Sequence, residues 1–321
     1  MPRVRKQIGE PSAAVLDVGS FSARLVVLAK GGSPLDPVLS HQTRLRLDRE
    51  LDDDGKLTRR GIDAVSSAVE AGMTMAAKHG VEDVYPLATS SIRDAANVKQ
   101  VVCDVAKATG VKLRFLTGRR EAELAYVGAR RWYGASAGGL LVLDIGGGTV
   151  ELAAGDAEEA GFAHSLPLGA RSLTRDWFAT ECPSPKVVRA MRDHVLDEVR
   201  DAMQDVLPEI RDHRAVGCSK VLRQLARLAG DRPSRSRELH LDDLRAWIPR
   251  LAKLPAKSRA ELPGISRQRS HQALAGAIVA EALLTLSGGQ VAICPWSTRD
   301  GLLLGMLDGL VTLDGKPAKA A

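Results

Sequence analysis

The sequence predicts an α/β protein of two lobes, each built on a mixed sheet with flanking helices. Three observations carry this. The stretch "GLLVLDIGGGTVEL" at 139–152 shares its plan with "AAVLDVGSFSARLVVLA" at 13–29. Short apolar strand patterns alternate with helical ones along the chain. A length of 321 residues with 45% hydrophobic content exceeds the usual size of a single core and suffices for two. The acids of "VLDVG" and "VLDIG", Asp17 and Asp144, lie 127 positions apart, too far for a solenoid period. A duplicated domain whose halves each present one hairpin is the natural explanation.

In the second copy, residues 140–143 read as a buried strand, 146–148 as a tight turn and 149–152 as a returning strand. This glycine-tipped hairpin is not a Walker loop, which needs Gly-Lys-Ser/Thr opening a helix, nor a dinucleotide loop, whose glycines join strand to helix. Glycines without Cβ atoms let an anion approach the backbone N–H groups, and Thr149 adds a hydroxyl. Asp144 is a poor direct phosphate ligand but a good anchor for a hydrated Mg²⁺ bridging to phosphate. In one such loop alone, the acid equally fits a turn bond.

After the first hairpin, "HQTRLRLDRELDDDGKLT" reads as a strand and an acidic turn, residues 59–79 as a helix, and "EDVYPLATSSIRDAAN" as strand, loop and helix start. "VKLRFL" is a further strand, followed by a loop at Thr117-Gly118 and a helix. The glycine-rich "GASAGG" suggests a boundary between lobes spanning 1–131 and 132–321. Beyond the second hairpin, "FAHSLPLGARSLTRDWF" is a strand meeting a helix, and 186–207 is a long amphipathic helix. "RAVGCSKVLRQLARLAG" is a strand, a glycine at Gly217, and a helix whose N-terminus favours anions. A charged, mobile stretch is expected at "DRPSRSRELH", then a buried helix in "HQALAGAIVAEALLTLSGG", the strand "QVAICP", the helix-like "STRDGLLLGMLDG" and a disordered tail "GKPAKAA".

Composition narrows the function classes. Aromatic residues are only 3%, so both cores must be aliphatic. Cys103, Cys182, Cys218 and Cys294 are scattered with no C-x-x-C pair, which argues against zinc and against a disulfide framework and predicts a reducing, cytoplasmic setting. No stretch reaches the roughly 18 uncharged apolar residues of a membrane span, and the basic opening meets Asp17 too soon for a signal peptide. The net charge of +6, with clusters at Arg44/Arg46/Arg49, Arg119/Arg120, Arg130/Arg131 and Arg223/Arg227, suits an acidic partner. Few stacking platforms and no recognisable motif turn that reading away from nucleic acid. His164, His271 and the other histidines have no ligand spacing.

In their order along the chain, these segments resemble the exopolyphosphatase and guanosine pentaphosphate phosphatase family. "DVGSFSARL" and "DIGGGTVEL" look like its two phosphate loops, and "ATSSIRDA" and "GRREAELAYVGA" like its signature between them. "SLPLGARSLT", "GCSKVLRQLA" and "STRDGLLLG" are similar to its later segments, so the resemblance runs from residue 12 to about 310. It implies two actin-like (ribonuclease H-like) lobes with mixed sheets and an active interdomain cleft, as in the family's short, two-domain members. Two positions depart from the pattern. Phe21 stands where the family usually has Asn, which removes an amide donor from the first loop; Thr149-Val150 replaces Ser-Thr and keeps a hydroxyl.

Carried over position by position, the resemblance implies that Glu121 orients the attacking water as a base, its ionised form favoured by Arg119 and Arg120; alone, it reads as a solvated helix acid. Arg93 would clamp the bridging or terminal phosphate through its guanidinium fork. Asp17 and Asp144 would hold Mg²⁺, with Mn²⁺ as the alternative, and Glu151 would orient a metal-bound water or make a cross-strand salt bridge. Gly19, Ser20, Gly146, Gly147, Gly148 and Thr149 would donate to phosphate, and Arg24 and Arg269 match family arginines that serve either phosphate or ion pairs. The implied reaction is Mg²⁺-dependent release of terminal orthophosphate from inorganic polyphosphate, chiefly short chains. The alternatives are a guanosine pentaphosphate 5'-phosphohydrolase, with guanosine penta- or tetraphosphate as partner, or a weakly active polyphosphate or alarmone sensor produced by Phe21. A homodimer is expected, with neither nucleic acid nor membrane as partner.

Overall fold

The computed structural model describes residues 11–52, 54–230 and 238–311. Residues 231–237 of the stretch expected to be mobile, and the tail expected to be disordered, lie outside the described residues. The chain forms two compact units, one running to Leu116 and resuming at Arg299, the other spanning Thr117–Thr298.

In the first unit, β1 (Pro11–Val18) and β2 (Ser22–Ala29) make the predicted hairpin, and β2 pairs antiparallel with β3 (Leu39–Arg44). After α1 (Arg59–Lys78) the chain returns as β4 (Tyr85–Ala88), parallel to β1, to give the order β3-β2-β1-β4. Short α2 (Ser90–Arg93) and α3 (Val98–Thr109) follow. Alternation along β1 and β2 sends Leu16, Val18, Leu25 and Val27 into one core with Ile62, Val65 and Val69 of α1 and Val101 and Val105 of α3. Asp17 and Arg24, in cross-strand register, therefore belong to the opposite face. Thr58 starts α1 by accepting from the Gly61 N–H at 3.1 Å. The strand expected at "VKLRFL" is reduced to a single bridge between Arg114 and Leu87. Arg114 takes two backbone bonds beside β4, to Pro86 and from Ala88, and the chain then turns into the next helix cap at Thr117.

The second unit opens with α4 (Gly118–Tyr133), then β5 (Leu140–Ile145), β6 (Val150–Gly155) and β7 (Phe162–Leu166). Next come α5 (Ala170–Trp177), α6 (Pro185–Met203), β8 (Arg214–Gly217), α7 (Lys220–Ala229) and β9 (Glu238–His240). The last three residues of the charged stretch thus form a short strand. α8 (Leu241–Ala252), α9 (Ala256–Arg259), α10 (Ala273–Leu286) and β10 (Gln290–Ile293) complete it, and α11 (Thr298–Leu307) continues into the first unit. The sheet order is β7-β6-β5-β8-β10-β9. Its first four strands repeat β3-β2-β1-β4 in both order and direction: two antiparallel pairs, then a parallel one. That is the duplication the two hairpins predicted.

Where the sequence suggested a boundary at 131/132, the second unit begins at Thr117. The buried face of α4, with Ala122, Ala125, Tyr126 and Ala129, shares its core with Leu140, Val142, Ala153 and Val216 of the second sheet. The glycines of "GASAGG" serve a tight turn inside that unit, with Gly134 at φ 75° and Gly138 at φ 69°. Buried Arg130 locks α4 down: it donates to the Tyr126 hydroxyl at 2.9 Å, to the Gly138 carbonyl at 2.8 Å and to the Gly155 carbonyl at 3.0 Å. No described helix is long and apolar enough to cross a membrane, and all four cysteines are free thiols.

Candidate active site

The second hairpin is closed by a bond from the Gly146 N–H to the Thr149 carbonyl at 2.9 Å. The neighbouring carbonyls are taken by the entry to α5. Gly148 O accepts from Gly169 N–H, Gly146 O from Ala170 N–H, and Gly147 O from the N–H groups of Arg171 and Ser172, at 2.9–3.1 Å. The Gly147 and Gly148 amides donate to no described residue. The loop's acceptors are thus consumed and its donors kept, which is the polarity an anion site needs. A Cβ on Gly169 would lie 2.2 Å from the Gly148 carbonyl carbon, so only glycine permits this contact.

Below the loop, Asp144 and Glu151 are direct cross-strand partners. α4 packs over β5, β6 and β7, and Glu121 in its first turn is buried at 8% exposure, beside Glu151 at 6%. Burial pushes the Asp144 carboxyl up to about 7; the charge of Glu121 adds to the rise and the Arg223 guanidinium opposes it. Glu151 is pushed up to about 8 by burial, then by Asp144 and Glu121, against hydrogen bonds from Thr149 and Ser165. Ser165 donates at 3.1 Å, and it sits where a Cβ on Gly118 would intrude at 2.5 Å, so the start of α4 rests directly on the group that holds Glu151. The Thr149 hydroxyl expected to face phosphate is engaged with Glu151.

Arg119 and Arg120, expected to favour an ionised Glu121, pair instead with Glu123 at 3.1 and 2.9 Å. The cation that acts on Asp144 is Arg223, in the first turn of α7, whose guanidinium also donates to the Pro295 carbonyl at 3.2 Å. In the sequence Arg223 stands out only as part of a basic cluster with Arg227. Its signal was the Ser219 cap after β8, which starts a helix beside the strand end. Arg269 lies half-buried in the turn before α10.

The first hairpin closes the same way, Gly19 N–H to Ser22 carbonyl at 3.0 Å. The Ser20 hydroxyl meets that of Ser91 in α2. Asp17, in the position of Asp144, has Arg24 across the ladder and Arg299 at 3.7 Å, and Arg299 is held by Asp300 at 3.2 Å. Burial, followed by the like charge of Arg299, lowers the Arg24 guanidinium, with Asp300 and Asp17 opposing. Arg24 otherwise reaches Ser40 only at 3.4 Å. Arg93 bonds Asp94 at 3.1 Å and the Leu116 carbonyl at 3.3 Å.

Among the described residues, no three His, Cys, Asp or Glu side chains converge to coordinate one ion. The donor set around Asp144 is nevertheless all oxygen and carries more negative than positive charge, which fits a hard divalent cation that retains water and takes phosphate oxygens as its other ligands.

Two units, each with a mixed sheet in which an acid-bearing strand runs into a turning loop, define a duplicated actin-like fold. The chain belongs to the Ppx/GppA phosphatase family, whose model matches residues 25–310. It is 42% identical over 302 residues to Exopolyphosphatase 1 of Mycobacterium tuberculosis, covering 92% of this chain and 88% of that protein. It is 23% identical to the guanosine-5'-triphosphate,3'-diphosphate pyrophosphatase of Aeromonas hydrophila, over 92% of this chain and 60% of that protein. A solved exopolyphosphatase from Cytophaga hutchinsonii shares the fold, with a TM-score of 0.78 at 21% identity, over 94% of this chain and 99% of that one.

Two outcomes are expected from this geometry. With its folded value raised, Asp144 keeps a proton between about pH 4 and 7 that the unfolded chain releases, so this group makes the metal-free protein less stable as pH rises through that window. Asp144→Asn should therefore unfold at a higher temperature than the parent at pH 8 in chelator and match it near pH 4; a parent equally stable at pH 8 would contradict this. Gly169→Ala should cost at least about 1–3 kcal/mol in urea unfolding, because backbone must shift to admit the methyl group.

Proposed function

We propose that this protein is an exopolyphosphatase that releases terminal orthophosphate from inorganic polyphosphate with Mg²⁺. The observation that carries this reading is the burial of Glu121 against Asp144 and Glu151 directly beneath a loop stripped of free acceptors. The relation to a protein named Exopolyphosphatase 1 supports the same substrate.

In this reading the Gly147 and Gly148 amides and the Ser20 hydroxyl bind phosphoryl oxygens, and Arg93 clamps the terminal group with Arg24 and Arg269 as further phosphate contacts. Glu121 accepts a proton from the attacking water and holds it in line with phosphorus. Asp144 would hold the divalent cation at the second loop, Asp17 would serve its own loop in the same way, and Glu151 would orient a water beside Asp144. When bound, that cation supplies positive charge to the phosphoryl oxygens. The transition state is loose, so placement of the water and neutralisation of spreading charge matter more than the strength of the base. Asp17 already has a guanidinium at 3.7 Å, while Asp144 faces two carboxylates against one arginine, so the greater need for a cation lies in the second loop.

The test is orthophosphate release with Mg²⁺ from short and long polyphosphate, guanosine pentaphosphate and ATP. Polyphosphate should be the best substrate. Glu121→Gln should lower kcat by about 10²–10⁴-fold while leaving the melting temperature unchanged or raised, since it removes one of three crowded charges. Preferred turnover of guanosine pentaphosphate, or full activity in Glu121→Gln, would overturn the assignment.

A further inference from the structure

We propose that Arg171, the second residue of α5, is a phosphate ligand of the second glycine loop. The inference rests on the reading of that loop as a polyphosphate site. Its backbone is tied to the loop, since the Arg171 N–H donates to the Gly147 carbonyl at 2.9 Å. Its side chain then folds over the same residue: a Cβ on Gly147 would lie 3.1 Å from Nη1, 3.4 Å from Cζ and 3.7 Å from Nη2. A guanidinium therefore lies against the Cα of a loop whose Gly147 and Gly148 amides remain available.

Arg223 is the cation that acts on Asp144. Arg175, one turn further along α5, is exposed and pairs with Asp176 at 2.7 Å. A guanidinium offers a planar fork of N–H donors, and beside two backbone amides it completes a ring of donors for the non-bridging oxygens of one phosphoryl group. Those oxygens gain charge in a loose transition state, so the contact serves the transition state as well as the bound chain.

The experiment is calorimetric binding of tripolyphosphate with Mg²⁺ to the intact protein in the Glu121→Gln background, which suppresses turnover. Arg171→Gln should weaken binding by about 10–100-fold, the range expected for losing charge-assisted hydrogen bonds. Arg171→Lys, which keeps the charge without the fork, should fall between, and Arg175→Gln should bind as the parent does. Melting temperatures establish that each variant is folded; Arg171→Lys carries the test if Arg171→Gln is not. Binding by folded Arg171→Gln or Arg171→Lys within twofold of the parent would overturn the proposal. A parent that releases orthophosphate while Arg171 proves dispensable would sink this inference alone. A parent that neither binds nor cleaves polyphosphate would sink the functional reading along with it.

Discussion

The second unit is organised around the crowding of Glu121, Asp144 and Glu151 on one face of a sheet. Like charges in such surroundings repel and lose hydration together, and the raised values of Asp144 and Glu151 record that cost. Only a rigid frame keeps them there. Arg130 fixes α4 to the sheet, the missing side chain of Gly118 lets the helix start settle on Ser165, and Ser165 and Thr149 hold Glu151 by hydrogen bonds. None of these contacts is worth much alone. Together they keep the carboxyl groups from relaxing apart, which is why Asp144 and Glu151 hold their protons to higher pH than free carboxyls do.

Comparison with the first unit shows how duplication was put to use. The strand pairs, their directions and the bond that closes each turn are the same, from Gly19 to Ser22 and from Gly146 to Thr149. What differs is the residue opposite the acid: Arg24 faces Asp17, where Glu151 faces Asp144. With Arg299 also near Asp17, one loop is close to balanced and the other carries excess negative charge. One backbone plan therefore supports two electrostatic environments, set by the cross-strand residue together with the charges that other elements bring to each acid.

Much of this was legible in the sequence, because strand alternation and glycine placement act locally. The hairpins, the helix over 59–79, observed as Arg59–Lys78, and the strand before Gly217 needed only periodicity and turn chemistry. The failures have physical causes. "GASAGG" looks like a linker because glycine permits either a hinge or a tight turn, and the packing of α4 on the following strands decides for the turn. Arg119 and Arg120 adjoin Glu121 in sequence, but neighbours on a helix point about 100° apart; Glu123, four and three residues on, is the one they can reach. Arg171 and Arg223 acquire meaning only when α5 and α7 are brought against strand ends, which no local pattern reports.

The same backbone logic bears on Phe21. An amide side chain there would add a donor to the first loop, and its absence motivated the idea of a protein that binds without cleaving. Yet the loop is also held by its main chain. The Ser20 carbonyl accepts from the Leu47 N–H and the Phe21 carbonyl from the Leu45 N–H, both at 2.9 Å, so the segment after β3 secures the acceptor side of the first loop as the entry to α5 secures the second. In both hairpins a following segment takes up the carbonyls. The conformation of the first loop is thus set by main-chain bonds available to any residue at position 21. Exchange of Asn for Phe removes one contact to phosphate without dismantling the loop, and the buried acids that would do the chemistry lie in the other unit. That places the expected cost on affinity for the bound phosphate more than on turnover, and favours a working phosphatase over a sensor that has lost its reaction.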